Sequence, residues 1–584
     1  MTLRTDYEKL FDTRYLINYG YFDLEPENLK EISYISNYGK SDSFYYKIFN
    51  LNELTNYIEN NKKHIKQILS EDRYSSAISF TIPKNDLSRR EYKMPNFYNY
   101  LKLMYFMQSH MYEFINVFLE NQHSLSKFFT LPNYEYNFTD RLRKRLIYGG
   151  KNHLKLDLSN FYHSLYTHSI PWVIMGKKKA KKNRNNGFAN KLDKYLRYCQ
   201  DNQTHGIPTG NLLTRIISEL YMCYIDKNMK EKGYIYARYV DDIIFSYNLE
   251  SEKENFYKQY DLICRSNELK INDKKTEINT YPFRNVNNKH MIFNYFDKLT
   301  ENSKDYTWID TISNFIEFCV SEESNGNKGA IKCIFPVIRN AFKFKKISNE
   351  KIKKIITFKE PISEYNIIAH LLDLSLKDSR LTNRFLQLIN YFKNKSKESK
   401  TIRDIIEKYF KNNSETIINL LFNYNRNIYN QETYQILIYI IEFDINILSK
   451  ENCLSLINEN SDDFSLCLLT VIYLKYKWNI IELLQKIDEL FLDATTFING
   501  KGKMSQDYWF FRYFFYYLRN KNIITKKEVN NYCKQSNYSC NKNKGYKTEL
   551  NWKYVKDNKD PIDKFYDELL NNNISFVDLK YIGL

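Results

Sequence analysis

The chain has 584 residues and a net charge of +18, from 87 lysines and arginines against 69 aspartates and glutamates. Its 15 glycines and 10 prolines are few for this length, which excludes a collagen-like chain, a low-complexity linker and a turn-dense β-sandwich, and favours long helices. Aromatic residues make up 16%, so burial of rings can offset the ordering entropy and the chain is not disordered. The excess of positive charge indicates a polyanionic partner.

The sequence carries no signal for secretion or for a membrane. Charge begins at Arg4, so we expect no secretory signal. The longest apolar stretches, residues 436–441 and 464–474, are shorter than the roughly 18 residues of a membrane span. The nine cysteines contain no CxxC pair, which excludes a zinc ribbon and a thioredoxin-like site. We therefore expect a cytoplasmic protein with reduced, buried thiols and no membrane partner.

The first half of the chain alternates short strands with helices. The predicted strands are residues 79–83, 90–94, 154–158, 234–240 and 243–245. Residues 211–232 predict a helix that stops at Gly233. Asp241 and Asp242 lie between the last two strands, which predicts a tight hairpin with both acids at its tip.

After residue 300 the apolar residues recur at helical spacing, as Ile402, Ile406 and Tyr409 do. The segments follow one another at intervals typical of stacked helical hairpins, which indicates a helical repeat of the HEAT type. We therefore predict an α+β domain over residues 1–300 and an all-α domain over residues 301–584.

Three acids carry the predicted chemistry. Asp157 ends one predicted strand, and Asp241 and Asp242 follow 84 residues later. Nucleotidyl transfer uses two divalent cations about 3.5–4 Å apart, and carboxylates are the oxygen ligands that such ions prefer. Taken alone, the tetrapeptide at residues 239–242 is equally typical of an exposed turn. Its order after Asp157 is that of polymerase palms, so we predict all three acids as catalytic residues that bind Mg²⁺ or Mn²⁺.

Five segments resemble reverse transcriptase motifs in their usual order over residues 79–280. They read I-P-K-N-D-L-S-R-R-E-Y-K-M-P, L-D-L-S-N-F-Y, H-G-I-P-T-G-N, R-Y-V-D-D and L-K-I-N-D-K-K-T. Wider strings, among them Y-G-K-S-D-S-F-Y-Y-K and N-K-G-A-I-K-C-I-F-P, resemble the AbiK-like abortive-infection reverse transcriptases nearly end to end. This resemblance implies reverse-transcriptase fingers and palm followed by a helical-repeat domain.

The resemblance also implies roles for single residues. Lys84 and Arg90 match finger residues that grip the nucleotide triphosphate, for which a forked guanidinium is well suited. Tyr162 matches a steric gate under the sugar, which would favour deoxynucleotides. Lys275 matches a lysine near the leaving phosphates, although an ordinary exposed lysine is an equal reading.

One segment departs from the pattern of templated enzymes. Where these usually carry Pro-Gln-Gly, this chain has Pro208, Thr209 and Gly210, so a short hydroxyl replaces an amide that could reach across to a template. The resemblance to the AbiK-like enzymes also argues against templated synthesis. It implies DNA synthesis from dNTPs without a template, primed by a tyrosine of the protein, so that single-stranded DNA ends up covalently attached. It further implies phage defence in the bacterial cytoplasm and a homo-oligomer, a trimer or hexamer.

For the priming residue we favour Tyr38, because Gly39 gives backbone freedom beside the ring and Lys40 places positive charge nearby. A turn tyrosine that only packs fits the same pattern. The neighbouring competitors are Tyr34, Tyr45 and Tyr46.

Weaker signals remain. A basic run indicates either a solvated loop or contact with the phosphates of exiting product, and consists of Lys177, Lys178, Lys179, Lys181 and Lys182. Residues 509–517 are aromatic on every face, which favours a buried helix over a base-stacking platform. Packing or hydrogen bonding is the expected role of His163, His168 and His205.

Two competing functions stay open from the sequence. The first is a templated reverse transcriptase, also in defence. The second is a catalytically dispensable polymerase fold that acts as a nucleic-acid-binding scaffold.

Overall fold

Helices make up most of the structure, a computed structural model that describes residues 3–22, 48–84, 88–128, 136–182, 186–283, 290–494, 503–535 and 560–584. All strands of this described part lie before residue 281. The predicted contrast between a mixed first half and a helical second half is confirmed.

A two-stranded hairpin, here the fingers hairpin, is formed by β1 (Ile78–Pro83) and β2 (Arg89–Met94). The strands are antiparallel, with Thr81 opposite Glu91 and Ile82 opposite Arg90. Both strands match the predicted ones to within a residue.

A second sheet, here the palm sheet, contains β3 (Asn152–Leu156), β4 (Ala237–Tyr239), β5 (Asp242–Tyr247) and β6 (Glu277–Thr280). Their order is β4-β5-β3-β6, and all neighbours are antiparallel. This order places the strand before Asp157 directly beside the strand that begins at Asp242.

The predicted strand over residues 234–240 is too long, because only its last part joins the palm sheet. Tyr236 is buried instead, with its ring stacked on His123 and its hydroxyl donating to Asp226 at 2.6 Å. The side-chain partners of Tyr236 hold this stretch against the loop at residue 123 before the strand begins.

Helices surround both sheets in the first half. They are α1 Leu3–Leu10, α2 Asn52–Asn60, α3 Lys62–Ile68, α4 Phe97–Ser109, α5 Met111–Glu120, α6 Tyr136–Leu146, α7 Phe161–Ser164, α8 Ser169–Met175, α9 Lys177–Lys182, α10 Phe188–Tyr198, α11 Leu212–Glu231, α12 Glu250–Ser266 and α13 His290–Phe293. A π-helical turn covers Tyr15–Tyr19, and 3-10 turns cover Ser126–Phe128 and Asp273–Lys275. The predicted helix α11 begins where Asn211 accepts the Thr214 N–H at 3.0 Å.

The second half is a succession of helices. They are α14 Asp305–Ser324, α15 Ile334–Phe344, α16 Asn349–Thr357, α17 Ile367–Lys377, α18 Thr382–Ser396, α19 Ser399–Asn412, α20 Ser414–Arg426, α21 Asn430–Phe443, α22 Lys450–Leu456, α23 Asp463–Lys475, α24 Ile480–Ala494, α25 Trp509–Asn520, α26 Lys526–Gln535, α27 Pro561–Asn571 and α28 Leu579–Ile582. Further 3-10 turns cover Ile331–Cys333, Ser379–Leu381 and Lys503–Ser505.

Packing in this half often joins each helix to the next but one. Helix α16 contacts α18, α21 contacts α23, and α23 contacts α25. Such packing is typical of stacked hairpins, while the HEAT-type repeat itself stays a prediction. The aromatic helix α25 is buried along residues 509–517, as predicted.

The two halves share one apolar core. Phe97 of α4 meets Trp509 of α25 with ring centroids 5.3 Å apart, and Phe49 meets Phe464 of α23 at 5.0 Å. The predicted boundary near residue 300 therefore separates two kinds of secondary structure, but their apolar surfaces are continuous.

None of the helices that the structure describes is both long and apolar enough to cross a membrane. The thiols described are free, and six of the seven are buried. Burial raises the pKa of Cys199, among others, so these thiols are poor nucleophiles.

Candidate active site

Asp157 and Asp242 face each other at one end of the palm sheet. Leu156 of β3 is opposite Ile243 of β5, so the next position of the antiparallel pair places Asp157 opposite Asp242. The two carboxyl side chains share a hydrogen bond. Two acids that are 85 positions apart in the sequence thus become neighbours through strand pairing.

The turn that carries Asp241 is shifted by one residue from the predicted hairpin. Tyr239 pairs with Asp242, so Val240 and Asp241 form the turn and Asp242 already belongs to β5. The prediction that both acids lie at the tip is wrong for Asp242. The shift matters because it makes Asp242 the first residue of β5, directly across from the end of β3 at Asp157.

Val240 adopts a left-handed backbone conformation with φ of 55°. This conformation is unfavourable for a β-branched residue and needs support from its surroundings. Arg238 supplies it from one side by donating to the Val240 carbonyl at 2.9 Å, and Ser126 accepts the Val240 N–H at 2.9 Å. The turn is therefore fixed by side chains outside it.

Arg238 is itself held in a fully buried ion cluster under the turn. Its guanidinium contacts Glu219 at 2.9 Å and Asp226 at 2.8 Å, both on α11. The exposed fractions of the three side chains are 0%, 5% and 0%. Sequence reasoning missed this cluster, although Arg238 stands inside the R-Y-V-D-D motif.

The acids repel one another. Loss of surrounding water, and then the charges of Asp241 and Asp157, raise the pKa of Asp242 to about 6, although the side chain opens to the cleft. Burial and then Asp157 also raise the pKa of Asp241, while Lys275 and Arg90 lower it. Bound cations would relieve this repulsion.

Lys275 contacts Asp157 directly. Its Nζ lies 3.0 Å from Asp157 Oδ1, while the Asn272 side-chain amide donates to Asp157 Oδ2 at 3.1 Å. The Asn272 N–H also bonds to the Asp157 carbonyl at 2.8 Å. Asn272 is a site residue that sequence reasoning missed, although it lies in the same L-K-I-N-D-K-K-T segment. The role of Lys275 at the leaving phosphates stays a prediction.

Carboxylate oxygens make this place suited to Mg²⁺ or Mn²⁺. Asp157 and Asp242 supply an adjacent pair, and Asp241 follows in the turn. Among the residues described, no three His, Cys, Asp or Glu side chains are already grouped as a metal site. Asp241 would therefore have to turn toward the pair to act as a third ligand, and the metal stays a prediction.

Tyr162 lies beside the acidic turn, in the short helix α7. With Val240 and Ser218 it lines a small cavity, and its hydroxyl is hydrogen-bonded to Ser218. Burial raises the pKa of Tyr162 to about 12, and the charge of Asp241 adds to the rise. The hydroxyl of Tyr162 therefore stays neutral next to the acidic turn, and its role as a sugar gate stays a prediction.

Arg90 lies in β2 and Lys84 directly follows β1, so both belong to the fingers hairpin. The charge of Arg90 lowers the pKa of Asp241, which places the two within electrostatic reach. Burial lowers the pKa of His163, next to Tyr162, and Lys84 and Arg90 lower it further. The hairpin thus brings positive charge over the entrance to the acids.

Thr209 faces the fingers hairpin. Its hydroxyl donates to the Glu91 carbonyl at 2.9 Å, and its own carbonyl accepts the Lys93 N–H at 3.0 Å. The next residue, Gly210, has φ of +98°, and an added Cβ would lie 2.9 Å from the Tyr92 ring. The short hydroxyl and the glycine are therefore needed to seat this segment on β2.

A cleft of about 660 Å³ opens beside Asp157 and Asp242. Charged side chains from several elements line it, namely Asp140, Arg143, Lys155, Lys275, Glu277 and Lys328. Lys328 belongs to the helical half, so both halves contribute to the cleft. Its positive side chains suit a phosphate backbone.

The predicted basic run forms helix α9 and not a loop, and its lysines are exposed. The structure places the Lys177 ammonium over the Trp172 ring at 4.0 Å. None of the five lysines is among the described residues that line the cleft. Contact with nucleic acid stays a prediction for them.

Other predicted residues have simpler positions. His168 bonds to Asp193 at 2.7 Å, which is a structural role as expected. His205 joins Tyr166 through a backbone bridge while its side chain is exposed, so the expected role of its ring stays a prediction. Tyr38 and its competitors at positions 34, 45 and 46 lie outside the described residues.

Comparison with known proteins agrees with this geometry. Residues 82–307 match the family model of the reverse transcriptase (RNA-dependent DNA polymerase). The matched region runs from the fingers hairpin through the palm sheet and includes Asp157, Asp241 and Asp242. It supports a polymerase that transfers nucleotidyl groups. No curated protein matches the chain.

Two solved structures show a distant likeness. Telomerase from Candida tropicalis, in complex with a TWJ fragment of telomeric RNA, has 13% identity and a TM-score of 0.28 over 60% of this chain and 65% of that chain. Telomerase from Candida albicans, with the same kind of fragment, has 13% identity and a TM-score of 0.25 over 61% and 68%. This chain therefore spans slightly less than two thirds of the first.

Proposed function

We propose that this chain is a reverse-transcriptase-type polymerase that makes DNA from dNTPs without a template and begins on one of its own tyrosines. The observation that carries the polymerase chemistry is the pair Asp157 and Asp242, joined through strand pairing, with Asp241 in the adjoining turn, inside the matched region.

In the proposed reaction a hydroxyl oxygen attacks the α-phosphorus of a dNTP. A new phosphorus–oxygen bond forms, the bond to the bridging oxygen breaks, pyrophosphate leaves with the electron pair, and the hydroxyl proton passes to water. Cations held by Asp157, Asp241 and Asp242 would lower the pKa of the hydroxyl and neutralise the triphosphate.

The other residues have positioning and electrostatic roles in this proposal. Arg90 and Lys84 hold the triphosphate from the fingers; the charge of Arg90 reaches Asp241, and the charges of both reach His163 beside Tyr162. Lys275 exchanges its contact with Asp157 for one with the leaving pyrophosphate. Tyr162 excludes a 2′-hydroxyl with its half-buried ring, which the hydrogen bond to Ser218 holds beside the acidic turn.

Untemplated synthesis is supported by Thr209. The hydroxyl of Thr209 is engaged by the Glu91 carbonyl, so it offers no group to a template strand. The AbiK-like resemblance supports the same reading, and with it priming on Tyr38, attached single-stranded DNA, a trimer or hexamer, and phage defence in the bacterial cytoplasm.

Incubation of the purified protein with dNTPs and Mg²⁺, with no nucleic acid added, tests the proposal. We expect protein-linked DNA, visible by intact mass before and after nuclease treatment, and its loss in Tyr38→Phe with a normal yield in Tyr34→Phe. If adduct forms normally in Tyr38→Phe, the primer lies elsewhere. If product requires an added template, the enzyme is a templated reverse transcriptase.

The scaffold alternative is tested in cells. Asp241→Ala removes one carboxylate from the turn between β4 and β5, outside the strands of the palm sheet. We expect this variant to lose protection against phage. A variant that protects as well as the parent would show that catalysis is not the function.

A further inference from the structure

The helical half contacts the fingers hairpin near its turn, mainly through one arginine. Arg89 of β2 donates two hydrogen bonds to Glu432 of α21, at 2.9 and 2.5 Å, and its guanidinium lies 4.1 Å from the centroid of the Tyr429 ring. The exposed fractions of the Arg89 and Glu432 side chains are 22% and 14%. A bidentate, stacked and mostly buried ion pair is a strong and directional contact.

The neighbouring strand is bound at the same place. The Thr81 N–H donates to the Asn430 side chain at 2.9 Å, and the Thr81 hydroxyl donates to the Ile428 carbonyl at 2.5 Å. Arg89 also donates to the Thr81 hydroxyl at 3.2 Å. The segment around Tyr429 thus contacts both strands of the hairpin.

Arg89 and Arg90 are adjacent but have different surroundings. Side chains of successive strand residues point to opposite faces, so the contact of Arg89 with α21 directs Arg90 away from the helical half. The charge of Arg90 acts on Asp241 in the palm. One arginine therefore binds the strand to α21, and its neighbour lies on the opposite face of the hairpin.

A second anchor holds the end of β2. Thr209 bonds to the backbone of Glu91 and Lys93, and Gly210 lies against Tyr92. The hairpin is thus bound by the palm on one side and by the helical half on the other. A hairpin held in this way keeps Arg90 at one distance from the acids.

We propose that the helical half fixes the fingers hairpin for nucleotide binding, with Arg89 and Glu432 as positioning residues that act through Arg90. This inference rests on the proposed polymerase function. Glu432, which lies outside the matched reverse transcriptase region, would then contribute to the affinity for dNTP.

The test measures nucleotide affinity separately from synthesis in the full-length protein. The probe is a non-hydrolysable α,β-imido dNTP with Mg²⁺, titrated by calorimetry into the parent and Arg89→Met. We expect the Kd to rise about tenfold, since a lost bidentate charge-assisted contact is worth roughly one power of ten. In steady-state incorporation we expect KM to rise similarly and kcat to change by less than about twofold.

Three further variants serve as comparisons. Glu432→Gln keeps the size of the side chain and removes its charge, so it should weaken binding less than Arg89→Met. Glu432→Asp keeps the charge and should bind more tightly than Glu432→Gln. Glu364→Gln breaks an exposed ion pair with Lys408, at 3.1 Å, elsewhere in the helical half, and should bind as the parent does.

Amide hydrogen exchange over residues 78–94 gives a readout without catalysis. We expect faster exchange there in Arg89→Met and no change in the palm strands. An unchanged Kd in Arg89→Met overturns the inference, whether or not exchange is faster. If the parent binds the probe but makes no DNA, the proposed function is wrong. The effect of Arg89→Met on Kd still tests the positioning role in that case.

Discussion

Replacing Arg238 with methionine should lower the free energy of unfolding, by an amount that depends on pH. The substitution keeps an unbranched side chain but removes the cation between Glu219 and Asp226, whose side chains are 5% and 0% exposed. Breaking a buried ion pair from one side costs about 3–5 kcal/mol, because a charge is left without compensation. We expect a loss of unfolding free energy of this order at pH 8.

The pH dependence follows from the two carboxyls. The Arg238 charge and its hydrogen bonds hold the pKa of Glu219 below its usual range against the effect of burial. In Arg238→Met both buried carboxyls should bind protons more readily than in the unfolded chain. Stability of the variant relative to the parent should then rise as the pH falls from 8 toward 5. Lys127, the other buried cation nearby, donates to the Phe118 carbonyl at 2.9 Å.

Urea unfolding at pH 8 and pH 6 measures both effects, with the triple variant Arg238→Met, Glu219→Gln, Asp226→Asn as the control. The control should recover most of the stability, because no buried charge remains. It should still make little DNA, since the Val240 carbonyl has lost the donor at 2.9 Å. A loss under about 1 kcal/mol in Arg238→Met, or the same loss at both pH values, would refute this account of the cluster.

Three other results are expected. Asp242→Asn should abolish nucleotide incorporation yet slightly raise the melting temperature of the metal-free protein at pH 8. The reason is that burial, and then the charges of Asp241 and Asp157, raise the pKa of Asp242 to about 6, and the substitution removes the charge that they oppose; a lower melting temperature would contradict this. Tyr162→Ala should let ribonucleotides be incorporated at rates approaching those of deoxynucleotides, whereas an unchanged preference would exclude Tyr162 as the gate. Burial raises the pKa of Asp463 to about 7, so the folded chain keeps a proton that the unfolded chain releases, and stability should fall as pH rises from 4 to 7. Asp463→Asn, which can still accept the Phe510 and Phe511 N–H groups, should lose this dependence in thermal melts at pH 5.5 and 7.5.

Much of the fold was predictable because its signals are local. Helix α11 begins at Asn211, whose side chain caps it, and ends before Gly233, as the sequence indicates. Strands β1 and β2 follow from β-forming residues on either side of a polar turn. The burial of α25 follows from rings on every face of one helix.

The sequence alone was enough to name the residues that we predict to carry the chemistry. Asp157, Asp241 and Asp242 could be named from residue type and motif order, because each motif is a short contiguous string. The pairing of Asp157 with Asp242, and the one-residue shift of the turn to Val240 and Asp241, depend on strand register, which joins segments distant in the chain.

Only the tertiary structure shows which contacts hold the acidic turn and the fingers hairpin in place. Arg238 of β4 pairs with Glu219 and Asp226 of α11. Arg89 of β2 pairs with Glu432 of α21, which lies 343 positions further along the chain. Such partners leave no pattern in a single sequence, because any arginine and any glutamate are compatible before the chain has folded. The pairs are established only when the chain folds, because burying a charge without a partner costs too much free energy.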